Sequence, residues 1–183
     1  MIYILTGNGK GKTTSAIGMG LRAVGAGKKV FMVQFLKDGS SAENKIIKKI
    51  KKFQIRSFGR KGFFLPASTL QRYPRLKKIG VKPLSKKDFE LAEAGFKLAK
   101  KILRDKACDL LILDEVNLAV HFGLIPKREF LNFLKENKKK LDIVLTGRYC
   151  PKDFFSIADL ITEFKEKKHY YRKGVKAKKG IEF

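Results

Sequence analysis

The chain is 183 residues long, 44 % hydrophobic, and carries a formal net charge of +25. That size and apolar content give one domain, 1–183, with room for a substantial core, and no apolar run is long enough to cross a bilayer. Met1 leads directly into IYIL rather than a cleavable leader, and two well-separated cysteines, Cys108 and Cys150, exclude a disulfide framework or a Cys-rich metal site, so a reducing cytoplasm is expected.

Ile2 to Leu5 reads as a short buried strand running into the string TGNGKGKTT, residues 6–14. From Lys12 the pattern turns helical, with Ala16, Ile17, Met19, Gly20, Ala23 and Val24 on one face, until Gly25 and Gly27 stop it. VFMVQFL, Val30 to Leu36, and then Phe53 to Phe58 are the next strands. Strand, helix and strand in such close succession make a βαβ unit, so the class is α/β with a mainly parallel central sheet flanked by helices. From Asn44 to Lys87 there is no Asp or Glu, against fifteen Lys and Arg. Such a field draws nucleic acid, nucleotides or acidic proteins; alternatively the lysines simply solvate the surface of a lysine-rich, thermophile-like chain. No nucleic-acid module accompanies the charge.

Gly59 to Pro83, broken by Gly and Pro, predicts a long loop of the functional or mobile kind. Ser85 and Asp88 form an S-x-x-D capping pattern, and Phe89, Ala92, Phe96, Ala99 and Leu103 follow at spacings of three and four, predicting an amphipathic helix to about Lys106. LLIL, Leu110 to Leu113, is a strand ending in Asp114-Glu115. Pro126 opens a helix through about Lys138. Ile143 to Leu145 leads a strand into Thr146-Gly147-Arg148, and Asp159 to Phe164 is the last strand. The tail from Lys165 to Lys179 is basic again.

TGNGKGKTT departs by one position from the phosphate-loop pattern G-x-x-x-x-G-K-[ST]: Gly7 and Gly11 enclose only Asn8, Gly9 and Lys10, and Thr6 stands in the slot of the first glycine. Its setting, after the first strand and opening the first helix, is that of a phosphate loop. Backbone N–H groups at a helix start favour anions, and glycines let the chain close around phosphate oxygens. Gly7, Asn8, Gly9, Lys10, Gly11, Lys12, Thr13 and Thr14 are therefore the expected nucleotide-binding residues, with Lys12 reaching a phosphate and Thr13 offering its hydroxyl to Mg²⁺. Asp114-Glu115 matches a Walker-B carboxylate beside that ion, or else a strand-end turn with an acidic cap; two adjacent acids on a buried strand tilt the reading to metal, with Glu115 able to bind it directly. Arg148 follows a strand end on the rim where ligands of parallel sheets bind, as a phosphate contact or as a plain surface arginine. His121 and His169, the only histidines, have no metal-site spacing and read as packing or surface residues. Phe63 and Phe64 form a glycine-flanked aromatic pair that either packs inward or faces a flat ligand.

The strings TGNGKGKTTSAIG, RAVGAGKKV, VQFLK, LLILDE, VLTGR and GVKAKKGIEF, in this order over nearly the whole chain, resemble the P-loop corrinoid adenosyltransferases. The resemblance implies a P-loop NTPase (RecA-like) architecture and an enzyme that moves the 5′-deoxyadenosyl group of ATP to cob(I)alamin or a cobinamide-type corrinoid. In that reaction Co(I) attacks the 5′ carbon of ribose and expels tripolyphosphate. ATP held in reverse relative to other P-loop proteins accounts for the altered loop. By the same resemblance Gly7 to Thr13 bind the triphosphate, and Thr13, Glu115 and the neighbouring Asp114 hold Mg²⁺ or Mn²⁺. Lys10, Lys12 and Arg148 then offset charge on the leaving group. The family's GFxW string reads Gly62-Phe63-Phe64-Leu65 here: Phe63 matches the corrinoid-facing Phe, and Leu65 takes the Trp slot in a chain with no tryptophan. An N-terminal extension that many relatives fold over the corrinoid is expected to be missing. A homodimer is implied, and an acidic flavoprotein reductant is expected to dock on the acid-free stretch near the Phe63-Phe64 loop; neither a membrane nor a nucleic acid is expected. Two other classes remain distinguishable by product: a nucleic-acid-binding ATPase would release orthophosphate and ADP, and a small-molecule kinase would yield a phosphorylated substrate.

Overall fold

Alternation within strands too apolar to face water on either side dictates a sheet covered on both faces, and the computed structural model has that form. It describes residues 1–170, 174, 175 and 177–181. In chain order, β1 (Ile2–Thr6) leads to α1 (Lys12–Gly25), then β2 (Val30–Phe35), α2 (Ala42–Ile47) and β3 (Phe53–Phe58). A small excursion follows, with β4 (Phe64–Leu65), α3 (Ala67–Arg72), α4 (Arg75–Lys78) and β5 (Lys82–Pro83). The chain returns through α5 (Lys86–Arg104), β6 (Leu110–Asp114), α6 (Val116–His121), α7 (Lys127–Asn137), β7 (Asp142–Thr146), a 3₁₀ turn over Lys152–Ile157, and β8 (Leu160–Glu163).

Six strands form one parallel sheet in the order β3-β2-β6-β7-β1-β8, with registers such as Met32 opposite Ile112 and Ile4 opposite both Leu145 and Ile161. β2 and β6 are buried along their whole length, as central strands of a doubly covered sheet must be. Their alternating side chains feed two cores: Phe31, Val33 and Phe35 pack with α5, α6 and α7, while Val30 and Met32 pack with α1 and Ile47 of α2.

α5 realises its capping box, with Ser85 and Asp88 satisfying each other's backbone groups. Its buried stripe runs through Ala92, Phe96, Ala99 and Ile102, and Phe96 meets Phe133 edge-on at 5.2 Å. Phe89 lies off that stripe, 46 % exposed, because Asp88, one position earlier, takes the buried place in the first turn.

The predicted loop from Gly59 to Pro83 is not structureless. β4 and β5 pair in parallel, Phe64 opposite Lys82 and Leu65 opposite Pro83, and Leu70 of α3 is buried. Elements of two to six residues, bounded by the very Gly and Pro that read as breaks, are too short to carry a countable period. The same shortness hid α2 and α6. The acid-free stretch is also split. Lys52 contacts the α1–β2 connection through its Nζ and the Gly27 carbonyl at 2.9 Å, at the edge where the parallel strands begin. Phe63 and α5's start lie at the edge where the strands end, so Lys48 to Lys52 are not beside the Phe63-Phe64 loop as expected. Tyr171, Arg172, Lys173, Lys176, Glu182 and Phe183 lie outside the described residues, and with them part of the basic tail and of the GVKAKKGIEF string. Among the described residues no helix is long and apolar enough to cross a membrane.

Candidate active site

Parallel strands all end on one edge, so the segments that follow them converge there. β1 delivers the phosphate loop, β2 delivers Lys37, β6 delivers Asp114-Glu115 and β7 delivers Thr146 to Arg148. The loop's shape rests on two glycines with positive φ, Gly7 at 101° and Gly11 at 113°, a region costly for other residues. A Cβ on Gly7 would also run into the backbone of Phe164. That backbone braces the loop: Gly9 N–H donates to the Phe164 carbonyl at 2.7 Å, and Asn8 Oδ1 accepts from the Glu166 N–H at 3.2 Å.

Lys12 folds back over the loop and donates from Nζ to the Gly9 carbonyl at 2.6 Å. Burial pushes its ammonium below the ordinary lysine value, against the opposing pull of Glu115. Such a cation gains most from an anionic partner inside the pocket.

Asp114 is the buried hub. Its Oδ1 accepts from Thr13 Oγ1 at 2.8 Å and from Thr146 Oγ1 at 2.6 Å; its Oδ2 accepts from Lys37 Nζ at 2.8 Å and Gln34 Nε2 at 3.1 Å. Burial alone would raise its pKa, but Lys37 and the two hydroxyls together hold it below the usual carboxylate value. Four donors thus fill the acceptor positions of Asp114, and one of them is the Thr13 hydroxyl. Lys37 also donates to Thr13 Oγ1 at 3.2 Å.

Glu115 adopts a left-handed backbone, φ 58°, and its N–H donates to Thr146 Oγ1 at 3.0 Å. This kink turns its half-buried side chain toward the pocket. Burial first, and the neighbouring Asp114 second, raise its pKa above the ordinary glutamate value.

The pocket between these walls is about 730 Å³. Asn8, Gly9, Lys10, Gly11, Lys12, Thr13, Thr14, Phe63, Glu115 and Arg148 all line it, so the sequence-predicted residues converge on one space. Gly7 and Asp114 are not among the lining residues and sit behind it. Several residues went unread. Lys37, Gln34 and Thr146 meet only because β2, β6 and β7 are neighbours in the sheet; Gln34, the lone polar residue within VFMVQF, was the one visible signal. Glu43 and Ile46 of α2 also line the pocket, as does His169, which its spacing alone had assigned to packing or the surface. The tail arrives too, with Lys10 Nζ donating to the Ile181 carbonyl at 2.8 Å. His121 is an exposed residue whose ring stacks on Tyr149, centroids 4.6 Å apart.

A phosphate loop shortened by one residue, backed by a buried Asp-Thr-Lys hub, is matched across residues 1–183 by the model of the family described as ATP:corrinoid adenosyltransferase BtuR/CobO/CobP. The chain belongs to this family. It is 34 % identical over 187 residues to the corrinoid adenosyltransferase of Sinorhizobium sp, covering 100 % of this chain and 80 % of that protein. Identity to the corrinoid adenosyltransferase of Escherichia coli (strain K12) is 32 % over 185 residues, covering 100 % and 85 %. The corrinoid adenosyltransferase CobA of Salmonella typhimurium is 31 % identical over the same length, again with 100 % and 85 % covered. Such a match does not favour a nucleic-acid-binding ATPase.

The oxygen donors of the site fit the Mg²⁺ that ATP chemistry implies. Among the described residues no group of three or more His, Cys, Asp or Glu is arranged to hold a metal. Thr13 and Glu115 instead offer one hydroxyl and one carboxylate on adjoining walls. Mg²⁺ is commonly held that way, by one or two protein oxygens with the remainder from phosphates and water. A half-buried Glu115 whose charge is disfavoured by both desolvation and Asp114 is the kind of group a divalent ion would relieve.

Proposed function

We propose that this chain transfers the 5′-deoxyadenosyl group of ATP to the cobalt of a reduced corrinoid, cob(I)alamin or a cobinamide-type relative, and releases tripolyphosphate. The observation that carries the reading is one pocket with two chemically opposed walls. The cations Lys10, Lys12, Lys37 and Arg148 gather at the phosphate-loop end, and the Phe63 ring stands exposed in the same space. A triphosphate suits the first wall and a flat macrocycle the second.

The bond that breaks is C5′–O, and the electron pair leaves with the triphosphate while Co(I) supplies the pair for the new Co–C bond. Nothing attacks phosphorus, so the protein's task is to hold C5′ open to the corrinoid and to receive charge on the leaving group. Backbone N–H groups of residues 7–13, with Lys10, Lys12 and Arg148, supply that field. Asp114 fixes Thr13, and Thr13 with Glu115 would hold Mg²⁺. When bound, the ion adds further neutralisation of the polyphosphate.

We also read the chain as a cytoplasmic homodimer served by an acidic flavoprotein reductant. Two free thiols suit a reducing compartment, the exposed edge strand β8 offers a surface for self-association, and the excess of cations suits an acidic donor.

The deciding experiment is anaerobic incubation with reduced cobalamin and MgATP, following the corrinoid spectrum and the phosphate product together. Formation of the alkylcobalamin spectrum with stoichiometric tripolyphosphate is expected. ADP and orthophosphate without a corrinoid change would overturn the reading.

A further inference from the structure

Phe63 is 79 % exposed, yet it occupies a defined place on the pocket wall. An exposed ring on a short excursion needs an anchor. β4 and β5 are two residues each, and the backbone bonds around them, Lys82 N–H to the Phe63 carbonyl at 3.0 Å and Leu84 N–H to the Leu65 carbonyl at 2.9 Å, face water on an isolated pair of strands. Two-stranded pairs of this size are marginal by themselves.

The anchor is Arg60. Its guanidinium lies over the Phe64 ring, 3.9 Å from the centroid. The same group forks onto Asp88, Nε donating to Oδ1 at 3.0 Å and Nη2 donating to Oδ2. Asp88 is itself buried and fixed, Oδ2 accepting from the Ser85 N–H at 2.8 Å and from Ser85 Oγ at 3.1 Å at the start of α5. α5 is bound into the core through Ala92, Phe96, Ala99 and Ile102. A continuous path of fixed groups therefore runs from the core through α5, Asp88 and Arg60 to Phe64. Successive side chains of extended backbone point to opposite sides, so holding Phe64 against Arg60 sends its neighbour Phe63 the other way, into the pocket.

We propose that Arg60 is a positioning residue: it clamps the Phe63-Phe64 segment to the N-terminus of α5 and so sets the ring that meets the corrinoid. Capping α5 does not require it, since Ser85 and Asp88 satisfy each other. The clamp requires arginine chemistry, because only a planar guanidinium can grip a carboxylate with two parallel bonds while stacking on a ring. The functional consequence rests on the reading of Phe63 as the corrinoid-facing residue; the clamp itself does not.

The two are separable by experiment. Since the chain has no tryptophan, Phe63→Trp installs a single fluorescent reporter at the position in question. Adding Arg60→Met should lower its residual anisotropy and increase its quenching by acrylamide, with Arg60→Lys intermediate, while the thermal midpoint confirms a folded protein. Unchanged anisotropy in a folded Arg60→Met protein overturns the clamp. In the otherwise unaltered chain, Arg60→Met should raise the KM for reduced corrinoid by about tenfold, the scale of one lost charge-assisted bond, and leave the KM for ATP within about twofold. On a Phe63→Ala background Arg60→Met should add nothing. An equal effect on both backgrounds means that Arg60 does not act through Phe63 and sinks the proposal. If Phe63→Ala leaves the corrinoid KM unchanged, the reading of Phe63 falls, and the anisotropy decides the clamp alone.

Discussion

Lys12 and Glu115 carry opposite electrostatic burdens in one pocket. Burial lowers the pKa of the first and, with Asp114, raises that of the second, so each charge is held short of a partner. Triphosphate would answer Lys12, and a divalent ion would answer Glu115. Lys12→Ala should therefore lower kcat/KM for adenosyl transfer by about 100-fold or more, the scale of losing a group that meets transition-state charge. The thermal midpoint should move little, because the cost of desolvating the ammonium offsets its bond to the Gly9 carbonyl; near-normal turnover at saturating ATP would refute the role. For Glu115 the sign follows from its raised folded pKa. The stabilising contribution of the protonated carboxyl is complete below the ordinary value of 4.5 and is lost as pH rises through the folded value. As pH rises above 4.5, Glu115 thus increasingly burdens the ligand-free fold. Glu115→Gln should raise the neutral-pH melting temperature without ligand while cutting Mg²⁺-dependent activity far more than Asp105→Asn, a change at an exposed residue paired with Arg104. Equal small losses from both would refute the metal role. These two residues were legible because a motif names them by local spacing. Lys37 and Thr146 were not, since nothing local says that β2 and β7 flank β6 and bring both onto Asp114.

At the scale of elements, α5 shows what sequence spacing can and cannot fix. A 19-residue helix has enough turns for its stripe to be counted, and its capping box was visible in Ser85 and Asp88. What stayed hidden was the second use of Asp88, because Arg60 lies 28 positions away across segments too short to read. Burial works against the Asp88 charge, yet the bonds from Arg60 and Ser85 outweigh it and hold the carboxyl below its usual value. A depressed carboxyl stabilises the fold above its unfolded pKa, and that stability is lost as pH falls through the folded value. Asp88→Asn keeps the shape and removes the charge, so it should cost about 2–4 kcal/mol at neutral pH, in the range for breaking one side of a buried charged pair. In urea melts taken at falling pH the gap to the parent should close below the ordinary aspartate value of 3.8. A gap that persists unchanged in acid would mean that packing, not the charge of Asp88, is what the substitution disturbs.

Across the whole molecule, the parallel sheet sorts the surplus charge into two groups that the linear sequence ran together. Lys48, Lys49, Lys51 and Lys52 follow α2 and precede β3, so they lie where the strands begin. Lys61, Lys82 and Lys86 surround the Phe63 segment and the start of α5, where the strands end. The six residues of β3 separate the two groups by on the order of 20 Å, more than the Debye length of about 8 Å at physiological salt. Each group therefore acts on an approaching partner largely by itself. An electron donor has to come close to the corrinoid, so an acidic flavoprotein should be steered by the second group and be nearly indifferent to the first. Reversing Lys61, Lys82 and Lys86 to Glu should slow turnover with a protein donor several-fold, most at low salt, and leave turnover with a small chemical reductant near that of the parent. Reversing Lys48, Lys49, Lys51 and Lys52, although a larger change in net charge, should leave both donors nearly unaffected. Equal responses to the two groups would show that only net charge matters, and equal responses of the two donors would show that the cations near Phe63 serve solubility rather than docking.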